Sequence, residues 1–136
     1  MADSRSKGAS FERAICTKIN DFLVGMNSPI RVKRNLDQYQ MAGMCDVELP
    51  NHAIECKAYK SGWWFAPAWW QQVVESCGDK TPILIYKFNN KGIRVCAPLY
   101  FVNPSLPRDN GRTVVMTLDE WFNILSTKEE FLANAA

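Results

Sequence analysis

The chain has 136 residues, a length that fits one domain and leaves no room for two of typical size. Apolar residues make up 47% of the chain and charged residues 22%, which is typical of a globular domain and too apolar for a disordered one. No apolar run reaches the roughly 18 residues of a membrane span, and the first residues lack the apolar stretch of a signal peptide. We therefore expect a single domain that is neither membrane-inserted nor secreted and that resides in the cytoplasm.

The cysteine, histidine and charge patterns narrow the possible chemistry. The five cysteines form no C-x-x-C pair, which indicates reduced and mostly buried thiols. His52 is the only histidine, so a structural zinc site is not expected, and hydrolases that need two histidines are excluded. The net charge is only +2, but basic residues concentrate in residues 1–34 and acidic residues in residues 119–130. This asymmetry indicates either one anion-facing side or two ordinary solvated surfaces.

The hydrophobic pattern predicts helices that alternate with strands along the chain. The main predicted helices cover about residues 9–25 and 67–77, and short helices follow residue 117. The predicted strands cover residues 30–36, 45–49, 53–59, 81–88, 93–97 and 113–117. Residues 45–59 are predicted to form a hairpin whose turn contains Pro50, Asn51 and His52. This order of elements predicts an α/β or α+β sheet with helices packed on it.

Glu12 lies on the apolar side of the first predicted helix. At about 100° per residue, the apolar residues of this helix span an arc of roughly 120°, and Glu12 falls inside that arc. A carboxylate on the buried face of a helix is costly unless a partner or a metal compensates its charge. The alternative is an acidic residue at the edge of the apolar stripe that the helix dipole stabilises near the N-terminus.

Asp46, Glu55 and Lys57 form a second group of charged residues, on the predicted hairpin. Period-two alternation places Glu55 and Lys57 on one face of a strand, and the hairpin can bring Asp46 alongside them. Two converging carboxylates suit a hard divalent cation such as Mg²⁺, and a neighbouring lysine can orient or deprotonate a water. These groups are what metal-assisted phosphodiester hydrolysis requires. The alternative is a solvated strand face that carries an ordinary Glu–Lys pair.

These motifs resemble the PD-(D/E)xK nucleases, and among them the archaeal-type (Hjc-like) Holliday junction resolvases. Residues 6–13, Ser-Lys-Gly-Ala-Ser-Phe-Glu-Arg, are similar to that family's Lys-Gly-x-x-x-Glu-Arg start. Residues 54–57, Ile-Glu-Cys-Lys, are similar to its Ile-Glu-Cys-Lys strand, although Cys45 stands where the motif often has proline. The similarity covers about residues 5–97. A small divergent member from a bacteriophage would fit, and its location would then be the host cytoplasm.

The resemblance implies a fold and a set of site residues. The fold is α/β, a restriction-endonuclease-like mixed β-sheet flanked by helices. It forms a single nuclease domain over residues 1–136, with the resolvase core in 1–97 and a C-terminal extension of unassigned role in 98–136. The implied ligands of Mg²⁺, for which Mn²⁺ could substitute, are Glu12, Asp46 and Glu55. Lys57 is the implied catalytic lysine, and a catalytic glutamine is Gln72, with Gln71 as the alternative.

The activity implied by the resemblance is resolution of four-way (Holliday) DNA junctions. Water attacks the scissile phosphorus and the 3′ oxygen leaves, giving paired symmetric nicks with 5′-phosphate ends. Two opposed cuts call for a homodimer, with no small-molecule cofactor and no membrane partner. The tryptophans of the second helix suit packing or a dimer interface, whereas Trp63 and Trp64 suit DNA contact. The expected DNA-binding residues are Arg5, Lys7, Arg13, Arg31, Lys33, Arg34, Lys60, Trp63 and Trp64.

Two other functions remain open at this point. One is a PD-(D/E)xK nuclease that cuts flaps, single strands or a specific duplex sequence. The other is a non-catalytic domain that binds DNA or a partner on the same scaffold. The second is less favoured because all four motif residues are present, whereas a degenerate nuclease is expected to have lost at least one.

Overall fold

The structure, a computed structural model, describes residues 4–35 and 45–131, with side chains from residue 7 onward within these ranges. The helices are α1 (Ser4–Gly25), α2 (Pro67–Cys77), α3 (Leu99–Val102) and α4 (Leu118–Leu125). The strands are β1 (Val47–Leu49), β2 (His52–Tyr59), β3 (Thr81–Phe88), β4 (Arg94–Pro98) and β5 (Thr113–Thr117). None of the helices within the described ranges has the length and apolar character needed to cross a membrane.

The strands form one mixed sheet in the order β1-β2-β3-β4-β5. β2 and β3 are parallel over eight residue pairs, with α2 as the crossover helix that a parallel connection requires. The other neighbouring strands are antiparallel. The α/β class, with a mixed sheet flanked by helices, is therefore confirmed.

Both faces of the sheet are covered, which buries the central strands on two sides. Helices α1 and α4 pack on one face, where Ile15, Ile54 and Trp121 belong to one core cluster. Helix α2 packs on the other face, where Val73 contacts a cluster that contains Leu84 and Tyr86. Side chains on both faces of β2 are therefore buried near its middle, including Glu55, which alternation places on the face opposite Ile54.

The strand predicted at residues 30–36 is wrong over the described part, residues 30–35, where only Arg34 makes an isolated bridge to Val47. The cause is the side chain of Asn20 on α1. Its amide oxygen accepts the backbone N–H of Val32 at 2.7 Å, and its amide nitrogen donates to the Val32 carbonyl at 2.9 Å. The backbone groups of Val32 are thus bound to α1 rather than to a neighbouring strand.

His52, predicted as a turn residue, instead begins β2 and is 2% exposed. Its ring contacts the rings of Phe101 and Phe131, at centroid distances of 5.6 and 5.5 Å. Since the carbonyl oxygen of Pro50 lies 2.7 Å from Nδ1 and can only accept, Nδ1 carries the proton of the neutral ring. Burial lowers the pKa of His52 below its usual value of 6.5.

We predict that His52 makes the protein sensitive to acid. The unfolded chain takes up a proton near pH 6.5 and the folded protein only at lower pH, so the free energy of unfolding falls as pH decreases below about 6.5. His52→Asn keeps a donor for the Pro50 carbonyl but does not titrate. Denaturant titrations between pH 5 and 7.5 should show a smaller loss of stability for the variant. An equal loss in both proteins would contradict the prediction.

Candidate active site

Three carboxyl side chains from three parts of the chain meet beside β2. Glu12 comes from α1, Asp46 from the residue before β1, and Glu55 from the middle of β2. They are 6%, 7% and 3% exposed, which makes them three of the few buried charged residues. The structure thus brings together the three acids that the sequence indicated.

Glu12 lies between the buried residues Phe11 and Ile15 on α1, as the helical spacing predicted. Arg34 compensates its charge, because Nε of Arg34 donates to Oε1 of Glu12 at 3.0 Å. Residues 34 and 35 run beside the start of β1, where the backbone N–H of Asn35 donates to the carbonyl of Asp46 at 2.8 Å. The same backbone contact therefore places Arg34 over Glu12 and fixes Asp46.

Asp46 is held at the point where β1 begins. The antiparallel pairing of Val47 with Ile54 places Asp46 across from Glu55, one residue beyond the strand. Oδ2 of Asp46 accepts the backbone N–H of Cys56 at 2.8 Å, a charge-assisted hydrogen bond that orients the carboxylate. Asp46 therefore lies next to Glu55 because of backbone geometry and not through a flexible side chain alone.

Burial and the neighbouring charge of Asp46 disfavour the ionised forms of Glu55 and Glu12. Burial, and then the negative charge of Asp46, raise the pKa of Glu55 to about 9, and Lys57 opposes this shift. Burial, and then Asp46, also raise the pKa of Glu12, which Arg34 opposes. Without an added positive charge, Glu55 therefore keeps its proton at neutral pH.

The donor chemistry of this cluster fits a hard divalent cation, because carboxylate oxygens are the ligands that Mg²⁺ and Mn²⁺ prefer. Across residues 4–35 and 45–131, however, no three His, Cys, Asp or Glu side chains already stand in a metal-ligating arrangement. Glu12 is bound to Arg34 and Asp46 to the Cys56 amide, so two of the three acids use protein donors. Burial and the charge of Asp46 raise the pKa of Glu55, and a bound cation would favour its ionised form.

Lys57 lies two residues after Glu55 on the same face of β2 and is half-buried.

The glutamines of α2 differ in position. Trp69 stacks on Tyr59 of β2 at 4.7 Å, so Gln72, three residues later, lies on the β2 side of the helix. Gln71 points away and donates to Oε1 of Glu75 at 3.1 Å. Position therefore favours Gln72 over Gln71, although both are exposed.

The residues predicted to contact DNA fall into three groups. Arg13, Lys33, Lys60, Trp63 and Trp64 are exposed. Lys7 and Arg31 bind other parts of the protein, Lys7 through Oδ1 of Asn89 and Arg31 through the carbonyls of Ser28 and Ile30. Arg34 is the partner of Glu12, and the Arg5 side chain lies outside the described residues.

Sequence reasoning did not identify Arg34 as part of the acid cluster. A signal was present, since a buried glutamate on α1 requires a compensating group. The sequence could not say which of seven basic residues among the first 34 supplies it, because that depends on how residues 30–35 dock on α1. The hydrogen bond from the Cys56 amide to Asp46 was also missed, because it depends on where β1 begins in its pairing with β2.

The family profile described as "Phage putative PDDEXK endonuclease" matches residues 3–131 of this chain. The chain belongs to this family. The predicted PD-(D/E)xK resemblance and restriction-endonuclease-like fold are thereby confirmed, and nucleases of this kind generally use divalent metals. The match includes residues 98–131, which lie beyond the segment whose motifs carried the resemblance.

No curated protein matches the sequence. Among solved structures, the chain is similar to Hjc, a Holliday junction resolvase from the archaeal hyperthermophile Archaeoglobus fulgidus. That similarity has a TM-score of 0.47 and 18% sequence identity, and it covers 84% of this chain and 86% of that chain.

We predict that Glu55→Gln stabilises the metal-free protein. Glu55 takes up its proton near pH 9 when folded and near pH 4.5 when unfolded, so the free energy of unfolding falls as pH rises between these values. A neutral glutamine removes this loss, and we expect a gain of roughly 1–3 kcal/mol at pH 8 in chelator. Added Mg²⁺ should raise the melting temperature of the wild type but not that of the variant.

The matched control is Asp21→Asn, which neutralises an exposed acid on the same helix as Glu12. It should leave both the stability in chelator and the response to Mg²⁺ close to those of the wild type. A wild-type melting temperature that does not change in millimolar Mg²⁺ or Mn²⁺ would contradict a metal site at these three acids.

Proposed function

We propose that the protein is a Mg²⁺-dependent, structure-selective DNA endonuclease that resolves four-way junctions. The observation that carries this proposal is that Glu12, Asp46 and Glu55 are all buried, that Asp46 interacts electrostatically with both glutamates, and that Lys57 follows Glu55 on the same face of β2. Family membership supports the nuclease part, and the resemblance of residues 6–13 and 54–57 to archaeal-type resolvases favours the junction as substrate.

Glu12, Asp46 and Glu55 would hold the cation, Mg²⁺ or Mn²⁺. When bound, the divalent cation neutralises charge on the scissile phosphate and makes water a better nucleophile. For its part, Glu55 must give up the proton that its raised pKa retains, and Glu12 must share or release Arg34. The predicted contact of Arg34 with a phosphate oxygen would have to form beside its pairing with Glu12 or replace that pairing.

Lys57 is placed to act on the phosphate rather than on the cation. Its ammonium group lies on the face of β2 that also carries Glu55, so it can stabilise negative charge on the phosphorus or orient the attacking water. Gln72, on the side of α2 nearer to β2, would be a further polar group at that position. These two residues would orient the substrate while the acids hold the cation.

The junction itself would be bound mainly through phosphates. The basic residues of α1 and of residues 31–34 lie on the same two segments of chain as Glu12 and its partner Arg34, and they are the proposed phosphate contacts. Such contacts position DNA without reading sequence, and binding should weaken steeply with salt. Symmetric cutting of two strands would need a second copy of the chain, hence a homodimer in the host cytoplasm.

A second candidate function is cleavage of DNA with unpaired strands, such as flaps. The exposed indoles of Trp63 and Trp64 favour it, because unpaired bases stack on such side chains and duplex bases do not. A non-catalytic role is disfavoured by the joint presence and proximity of all four motif residues.

We predict that Lys57→Ala and Asp46→Asn each abolish cutting while DNA binding survives. The test is an end-labelled four-way junction beside linear duplex, flap and single-stranded DNA of the same sequences, each with Mg²⁺ and with chelator. Paired symmetric nicks on the junction alone, absent in chelator, are the expected result. Removal of a side chain that stabilises charge in the transition state lowers the rate by a factor of about 100 or more.

The matched control is Lys80→Ala, which removes a lysine that lies just before β3 and pairs with Glu48. It should cut at close to the wild-type rate. Normal cutting by Lys57→Ala would remove Lys57 from the mechanism, and cutting of a substrate other than the junction would replace the resolvase assignment with the second candidate.

A further inference from the structure

The loop between β2 and α2 displays aromatic side chains to solvent. Trp63 is 76% exposed and Trp64 51% exposed, which is unusual for the largest apolar side chain. The two indoles are 5.8 Å apart, and Trp64 stacks on Phe65 at 5.4 Å. We call Trp63, Trp64 and Phe65 the aromatic platform.

The platform is held in place by its surroundings. Gly62 has φ +140°, and a Cβ there would come within 2.5 Å of the Phe88 ring, so the loop lies against β3 in a way that only glycine allows. Nζ of Lys91 donates to the Gly62 carbonyl at 2.8 Å, and the Asn89 N–H donates to the Tyr59 carbonyl at 3.1 Å. The exposed indoles are therefore presented by an ordered loop.

The chain around the platform is positively charged. Residues 57–74 and 81–98, which these hydrogen bonds hold together, contain no Asp or Glu. They contain five basic residues: Lys57, Lys60, Lys87, Lys91 and Arg94. Exposed aromatic rings interleaved with lysines match the backbone charge and the unstacked bases of a single nucleic-acid strand.

The platform is continuous with the candidate active site. Tyr59 lies two residues beyond Lys57 on the same face of β2, a separation of about 7 Å, and is itself partly exposed. Its ring stacks on Trp69 at 4.7 Å and 12°. Beyond the loop, Trp64 and Phe65 line an open cavity of about 550 Å³ that Trp70 and Asn110 also line.

We propose that a single strand of DNA lies on the aromatic platform, with bases stacked on Trp63 and Trp64 and phosphates beside Lys60 and Lys91. On a four-way junction, this strand would be the one whose bases unstack next to the scissile phosphate. The inference rests on the proposed nuclease function and narrows its substrate. A second copy of the chain fits this surface less well, because lysines are depleted from the cores of protein–protein interfaces.

The test is DNA binding in chelator, which needs no cutting. Fluorescence anisotropy would measure the affinity of labelled oligothymidylate and of a blunt duplex for the wild type and for the double variant Trp63→Ala, Trp64→Ala. The conservative variant Trp63→Phe, Trp64→Phe keeps the rings. Val102→Ala, which removes an exposed apolar side chain from α3, is the matched control. Sedimentation of each protein alone would report its oligomeric state.

The double alanine variant should lose about 10-fold or more in affinity for the single strand and less than about threefold for the duplex. The phenylalanine variant should recover most of this loss, and the Val102 variant should behave as the wild type. Three results would each overturn the proposal. These are unchanged binding of the single strand, an equal loss of affinity for both DNAs, and a double alanine variant that is a monomer where the wild type is a dimer. If the proposed nuclease function is wrong, the wild type should still bind the single strand but should not cut DNA when Mg²⁺ is added.

Discussion

The candidate site depends on the cost of burying three carboxyl groups near one another and on what offsets that cost. Glu12, Asp46 and Glu55 would not be buried together unless the fold supplied compensation for each. Arg34 compensates Glu12, the Cys56 amide compensates Asp46, and a retained proton neutralises Glu55. This arrangement costs stability in the absence of a cation, as is common where a site is arranged for binding rather than for folding.

Asp46 and Arg34 are positioned by chain segments that lie outside the regular strands of the sheet. Asp46 is free to accept the Cys56 amide because β1 begins only at Val47. Arg34 reaches Glu12 because Asn20 binds both backbone groups of Val32 and draws residues 30–35 along α1. A regular strand at residues 30–35 would use those backbone groups in a ladder. The loss of one predicted strand is thus part of how the acid cluster is assembled.

The sequence predicted which face of an element each acid and the lysine occupy, because that depends only on local periodicity. Period two placed Glu55 and Lys57 on one face of β2, and the helical period placed Glu12 on the buried side of α1, because both patterns act over a few residues. The partner of Glu12 lies 22 residues away and the aromatic cover of His52 comes from Phe101 and Phe131. Periodicity tells which face a residue occupies, whereas these contacts depend on how distant elements dock.

Residues beyond 97 show the same division between local pattern and tertiary packing. Their motifs carry no resemblance to the resolvases, yet β5 completes one edge of the sheet, and Trp121, Leu125 and Phe131 are fully buried in the main core. Because that core also contains Ile15 of α1 and Ile54 of β2, it supports the helix and the strand that carry Glu12 and Glu55. The C-terminal segment therefore acts on the candidate site through packing, without placing any of the candidate catalytic residues.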